Sequence, residues 1–223
     1  WLLLRVGPAP ERDPFDGVRY QAGRGCAYLK RPVTPRCTVV AVHGFLQSPA
    51  YFRDLYQDPA MELILLGCSG YHEVLSTRGE DAAVAFQEPT TAPGTIAHDA
   101  DLLIGVLETL VSTGCVRVHG HSRGGAVVVA AARRRPDLFV AAQMVLEAPA
   151  LPGGALPRTP PRALVELLPW LLPAWRQQPI NARNEALWGD LSDARKRALI
   201  MAMPLNVRQA LIARRSLLDI MAW

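Results

Sequence analysis

Three features of the sequence predict an α/β fold built on a mostly parallel, doubly wound sheet. Between residues 38 and 146, short apolar, β-branched runs alternate with helical patterns, the order in which helices join parallel strands. A serine, Ser122, stands between Gly120 and Gly124 where the run Val116-Arg117-Val118 passes into a helical stretch. That is the C-terminal end of a strand, where ligands of such sheets bind. From Pro149 onward the composition changes. Eight prolines lie between Pro149 and Pro179, and Trp170, Trp175, Trp188 and many leucines accompany them. The shift predicts a core over residues 1–150 and a helical segment over 151–223 packed on the sheet.

The elements follow in order. Residues 17–31 alternate loosely and predict two short antiparallel strands around Gly23-Arg24-Gly25. Residues 38–42 form an apolar run suited to a strand buried on both faces, ending at His43-Gly44-Phe45. Ser48 is placed as an N-cap, with Pro49 at the first helical position, for a helix through about Gln57. Leu63 to Leu66 is the next strand, closed by Gly67 and Gly70, and 71–93 reads as an irregular excursion. Ile96, Ala100, Leu103, Ile104, Leu107, Leu110 and Val111 recur at three- and four-residue steps, one face of a helix opened by Thr95 and stopped by Gly114. A helix over 126–135 and a strand over 141–146 follow the serine turn. Beyond them, helices are expected at 192–203, capped by Ser192, and at 207–222, capped by Asn206.

Bulk properties exclude several classes. Half of the 223 residues are hydrophobic and a fifth are charged, a globular composition. The formal charge of +4 comes almost wholly from arginines spread along the chain. The one compact cluster, Arg133-Arg134-Arg135, closes a helix, where cations are favoured; no nucleic-acid partner is implied. No stretch reaches the roughly 18 uncharged apolar residues of a membrane span. The cysteines Cys26, Cys37, Cys68 and Cys115 lie far apart without metal spacing, and Cys37 and Cys115 open apolar runs. Buried, reduced thiols are the expectation, with a disulfide left open. No metal or cofactor is implied, and oligomeric state is not constrained. A cytoplasmic location is favoured, no signal peptide being visible, though the chain begins at Trp1 rather than Met.

The chemistry rests on two stretches. G-x-S-x-G after a strand and before a helix lets the chain reverse so sharply that the serine hydroxyl projects from the turn. Acyl transfer also needs two N–H donors aimed at the developing oxyanion, and losing one costs about 3 kcal/mol. The amide of Arg123, just past the serine, and that of Phe45, just past His43-Gly44, are the candidates.

With VVAVHGF at 39–45, VHGHSRGGA at 118–126 and the Pro/Trp-rich segment after LEAPA at 146–150, the chain resembles the α/β-hydrolase fold family, serine branch, with its helical lid. The resemblance implies a hydrolase of carboxylic esters or thioesters acting through an acyl-enzyme at Ser122 on a small, apolar acyl substrate. A serine argues against the similar dehalogenase and epoxide-hydrolase branches, which place aspartate there. Arg123 stands where methionine is common. In the family the triad runs Ser, then Asp or Glu, then His. Here the histidines are His43, His72, His98, His119 and His121, and none follows Ser122.

The expectation is therefore a chain that stops before the C-terminal strands bearing the triad acid and histidine, and that is inactive as it stands. The alternative is a non-catalytic binding module on the same fold. His43 is expected to be a structural ring beside the oxyanion loop, His119 and His121 to pack locally, and His98-Asp99 to be solvated. Glu147, after the strand 141–146, offers an orienting acid without a base.

Overall fold

The computed structural model describes residues 14–53, 55–68, 75–82, 86–154, 161–176, 204 and 206–223. Its strands are β1 (Val18–Ala22), β2 (Gly25–Lys30), β3 (Cys37–Val42), β4 (Met61–Gly67), β5 (Val116–His121) and β6 (Ala142–Glu147). They form one sheet in the order β1-β2-β4-β3-β5-β6. β3 pairs in parallel with β4 and β5, and β5 with β6, while β1, β2 and β4 are joined antiparallel. The mostly parallel sheet is thus present, and the expected pair in 17–31 forms its antiparallel end.

The central strands are apolar throughout because both faces are covered. Val40, Val42, Ile64, Leu66 and Val118 pack with helices α2 (Ile96–Thr109) and α3 (Arg123–Arg134). The alternate residues Val39, Ala41, Leu63 and Leu65 pack with Tyr28 and Phe52 on the other face. Each Leu or Ile removed from water in this way contributes about 1.5–3 kcal/mol. At the far ends of the strands, Glu62 is fully buried, accepting from Thr38 Oγ1 at 2.7 Å, Ser112 N at 3.0 Å and Ser112 Oγ at 2.7 Å, and pairing with Arg31. Burial pushes its carboxyl up, but the bonds from Ser112, Arg31 and Thr38 outweigh that and hold it below its ordinary value.

The chain leaves β3 toward β4 on one side and returns to form β5 on the other. The loops after β3 and β5 therefore meet where the sheet order reverses, the usual place for a site. Helix α4 (Arg162–Arg176) pairs with α5 (Val207–Ala222), joined by the Glu166–Arg214 ion pair. Asn206 caps α5 as expected, accepting from Gln209 N at 3.0 Å. The helix expected at 192–203, with its Ser192 cap, lies outside the described residues.

Two expectations are corrected. Helix α1 (Ala50–Arg53) is only four residues long, where a helix to Gln57 was expected. The chain continues instead as a turn, with Leu55 N and Tyr56 N both donating to Phe52 O. Cys37 and Cys115 are not reduced thiols. A disulfide joins them across the N-terminal ends of β3 and β5, with Cα atoms 4.7 Å apart. The parallel register makes them neighbours, since Thr38 faces Val116. Cys26 and Cys68 are free and buried.

Removing the bridge by Cys37→Ser should lower the unfolding free energy by about 2–4 kcal/mol in urea titrations. Thiol titration of the unreduced, denatured protein should find only Cys26 and Cys68 reactive.

Candidate active site

Ser122 occupies the turn between β5 and α3 with φ 51° and ψ −118°, a conformation that a side-chain-bearing residue rarely adopts. Such backbone costs about 1–3 kcal/mol and persists only where its surroundings over-determine it. Here the Ser122 N–H donates to Glu147 O at the end of β6 at 2.8 Å. The Ser122 carbonyl accepts from Gly125 N and Ala150 N, each at 2.9 Å. The glycines on either side permit the approach. A Cβ on Gly124 would lie 2.0 Å from Val42 O, and one on Gly120 would lie 2.5 Å from Gly124 O.

The loop after β3 closes on this turn. A Cβ added to Gly44 would sit 3.1 Å from Ser122 Cβ and 2.9 Å from His121 Nδ1. The structure thus brings the Gly44 loop and Ser122 together. Phe45 and Leu46 pack against Ile212 and Ala213 of α5, so the last helix reaches the same end of the sheet.

His43 is fully buried. Its Nδ1–H donates to Gly44 O at 2.9 Å, and Cys68 N–H donates to its Nε2 at 3.4 Å. Burial lowers its pKa to about 4, against the opposing effect of the Gly44 bond, so the ring is neutral at ordinary pH. That is the structural role the sequence predicts.

Arg123 and the His98-Asp99 pair form a buried charge network that the sequence reading did not assemble. The guanidinium donates to Asp99 Oδ2 at 2.5 Å and to Gly94 O at 3.0 Å, while His98 Nδ1 lies 2.9 Å from Asp99 Oδ1. Side-chain exposure is 1% for Arg123 and 0% for Asp99, so the expectation of a solvated His98-Asp99 pair is overturned. The missed signal was positional. Asp99 stands three residues after Ile96, inside the apolar stripe of α2, and an acid in that stripe calls for a buried cation.

On the other face of β5, buried His119 meets Tyr56, whose hydroxyl lies 2.7 Å from Nδ1, and packs edge-on against Phe52. Its Nε2 is 3.3 Å from Glu147 Oε2. Burial lowers its pKa, with Glu147 opposing. The Tyr51 hydroxyl donates to Glu147 Oε1 at 2.6 Å, so this acid is engaged with Tyr51 and His119. His121, one residue before Ser122, lies 2.7 Å through Nδ1 from Gln47 Oε1. Among the described residues no imidazole is hydrogen-bonded to the Ser122 hydroxyl, and no group of three His, Cys, Asp or Glu could hold a metal ion.

A mostly parallel sheet with a strained serine turn at its order reversal, beside a His-Gly-Phe loop, defines a class of fold. Comparison with known proteins specifies it. Residues 39–223 match a family described as Alpha/beta hydrolase family, and the chain belongs to that family. Similar solved structures include the N-formylmaleamic acid deformylase of Pseudomonas putida S16, at 14% identity over 92% of this chain and 73% of that one, with a TM-score of 0.60. An esterase from Exiguobacterium antarcticum is similar at 15% identity, again over 92% and 73%, with a TM-score of 0.58. The bottromycin epimerase BotH is similar at 14% identity, over 92% and 73%, with a TM-score of 0.56. At such identities the likeness is one of fold. No curated protein matches the chain.

Two outcomes are expected. Asp99→Ala, which strands the Arg123 guanidinium, should destabilise by about 3–5 kcal/mol, whereas Arg123→Met with Asp99→Leu should recover only part of that in urea titrations, because buried His98 still loses its partner. Burial takes the His43 pKa from its ordinary 6.5 down to about 4 in the folded protein, so unfolded chains bind the extra proton between those values. Its stabilising contribution is whole above the unfolded value and is lost as pH falls through that window. The urea midpoint of His43→Asn should accordingly vary less with pH there than that of the unaltered protein.

Proposed function

We propose that the protein is a serine hydrolase that cleaves a carboxylic ester or thioester through an acyl-enzyme at Ser122. The observation that carries this reading is the turn itself, a positive-φ serine between β5 and the N-terminus of α3, facing Gly44. In this reading the Ser122 hydroxyl attacks the acyl carbon and gives its proton to a base. The carbonyl oxygen becomes an oxyanion held by the Phe45 and Arg123 amides. Its collapse expels the alcohol or thiol, which takes the proton, and water then releases the acid.

The base is proposed to lie outside the described residues, because His43, His98, His119 and His121 each have partners elsewhere. Without one, the turn and its amides would sustain only about 10³–10⁴-fold catalysis over water. Residues 151–223 are proposed as a cap, supported by the packing of α5 on Phe45 and Leu46. The leucines and tryptophans of this segment support an apolar acyl group. No helix among the described residues is long and apolar enough to cross a membrane. Structures named as a deformylase, an esterase and an N-acyl homoserine lactonase lend the acyl-transfer reading support by fold.

In the full-length protein, an alkyl fluorophosphonate should add its mass at Ser122. Ser122→Ala should abolish that capture and lower turnover of a nitrophenyl acetate by at least about 10³-fold. His119→Asn should change kcat by much less than the about 10²–10⁴-fold that loss of a general base costs. Undiminished turnover in Ser122→Ala would sink the reading. Absence of both capture and turnover would favour a binding module.

A further inference from the structure

We propose that Gln47 and His121 form a positioning pair that ties the oxyanion loop to the nucleophile turn and aims the Phe45 amide; this rests on the reading of Ser122 as nucleophile. Gln47 closes the loop on itself. The Gly44 N–H donates to Gln47 Oε1 at 3.0 Å, and the Gln47 N–H donates to Gly44 O at 3.3 Å. Leu46, between them, has φ 53°, a left-handed conformation that needs such support. A backbone N–H can only donate, so the Gln47 side chain must present its oxygen here. The same oxygen lies 2.7 Å from His121 Nδ1, which must therefore carry the proton and donate. One carboxamide oxygen thus joins the loop after β3 to the last residue of β5.

The consequence for Phe45 follows from peptide geometry. In a trans peptide the N–H points opposite the preceding C=O. The Gly44 carbonyl accepts from both His43 Nδ1 and Gln47 N, which fixes its direction. The Phe45 N–H is thereby set on the other side of the same plane. His121 is steadied in turn by the Tyr51 ring, 5.0 Å away at a 35° tilt, whose hydroxyl is anchored on Glu147. A pair that sets the placement of an oxyanion donor acts on the reacting carbonyl only through backbone. Its loss should therefore appear in kcat and leave KM largely alone.

The test is steady-state hydrolysis of a nitrophenyl acetate by the full-length protein and its variants. Gln47→Leu and His121→Phe should each lower kcat by about 10–100-fold, the scale of a misplaced oxyanion donor, with KM changed by no more than about twofold. The double variant should be no worse than the poorer single one, because both remove the same link. His121→Asn, whose amide N–H takes the place of Nδ1–H, should recover most of the His121→Phe loss. Hydrogen exchange of the Gly44 amide in the unaltered protein checks the bond with no variant, and slow exchange is expected.

Full kcat in Gln47→Leu, losses that multiply in the double variant, no recovery in His121→Asn, or fast exchange at Gly44 would each overturn the proposal. Where Ser122→Ala abolishes turnover and Gln47→Leu does not, only the positioning role fails. Where Ser122→Ala is fully active, the reading beneath it fails as well.

Discussion

The strained backbone of Ser122 is the constraint from which the rest of the architecture can be derived. A side-chain-bearing residue stays at positive φ only if neighbouring structure leaves no easier path. That structure is a crowded junction where the end of β5, the start of α3, the end of β3 and the end of β6 converge. Ser122 is bonded through its amide to β6 and through its carbonyl to Gly125 and to Ala150 beyond β6. The crowding allows no Cβ at position 124, where Val42 O would be 2.0 Å away. Parallel pairing of β3 with β5 sets Gly44 beside Ser122 at that edge.

Beneath the turn the residue after the serine contributes a buried cation instead of an apolar side chain. Arg123 binds Asp99 in the first turn of α2, where an acid is also favoured by the helix dipole. Asp219 of α5 accepts from Ile96 N at 2.6 Å at the same helix terminus. The first turn of α2 thus receives two carboxylates, one linked to the serine turn and one belonging to the last helix. Breaking such a pair is costlier than never having it, since a lone buried charge finds no water. The network therefore couples the placement of α5 to that of the turn, although Asp99, Arg123 and Asp219 are far apart in sequence.

The sequence made the sheet legible for the same reason that the sheet is stable. β3, β4 and β5 are buried on both faces, so their residues are apolar without interruption, and the glycines at the turn are demanded by contact. The two halves of the candidate site were legible because each is a local motif on one strand–loop junction. Features decided by distant partners were not. Cys37 and Cys115 become neighbours only through the β3–β5 register, across a separation of 78 residues. His98 and Asp99 look polar and local until Arg123 arrives from the other side of the serine. The length of α1 is not legible either, because a cap and a proline mark where a helix starts without marking where it ends.

The histidines near Ser122 show why proximity in sequence is a poor guide to catalytic role. A general base needs a lone pair that is exposed to the hydroxyl and an environment that tolerates the imidazolium. His43 fails on both counts, since its Nε2 already accepts from Cys68 N and burial opposes its charging. His98 is committed to a buried carboxylate, and His119 lies between Tyr56 and Glu147 on the face of β5 that packs against α1. His121 donates through Nδ1 to an oxygen that it shares with the Gly44 amide, which makes it a support for the loop. His43 and His121 thus brace the loop after β3, while His98 and His119 hold side chains in place. Imidazole suits that use because it offers a donor and an acceptor on one rigid frame, and in His43 both are taken, by Gly44 O and by Cys68 N.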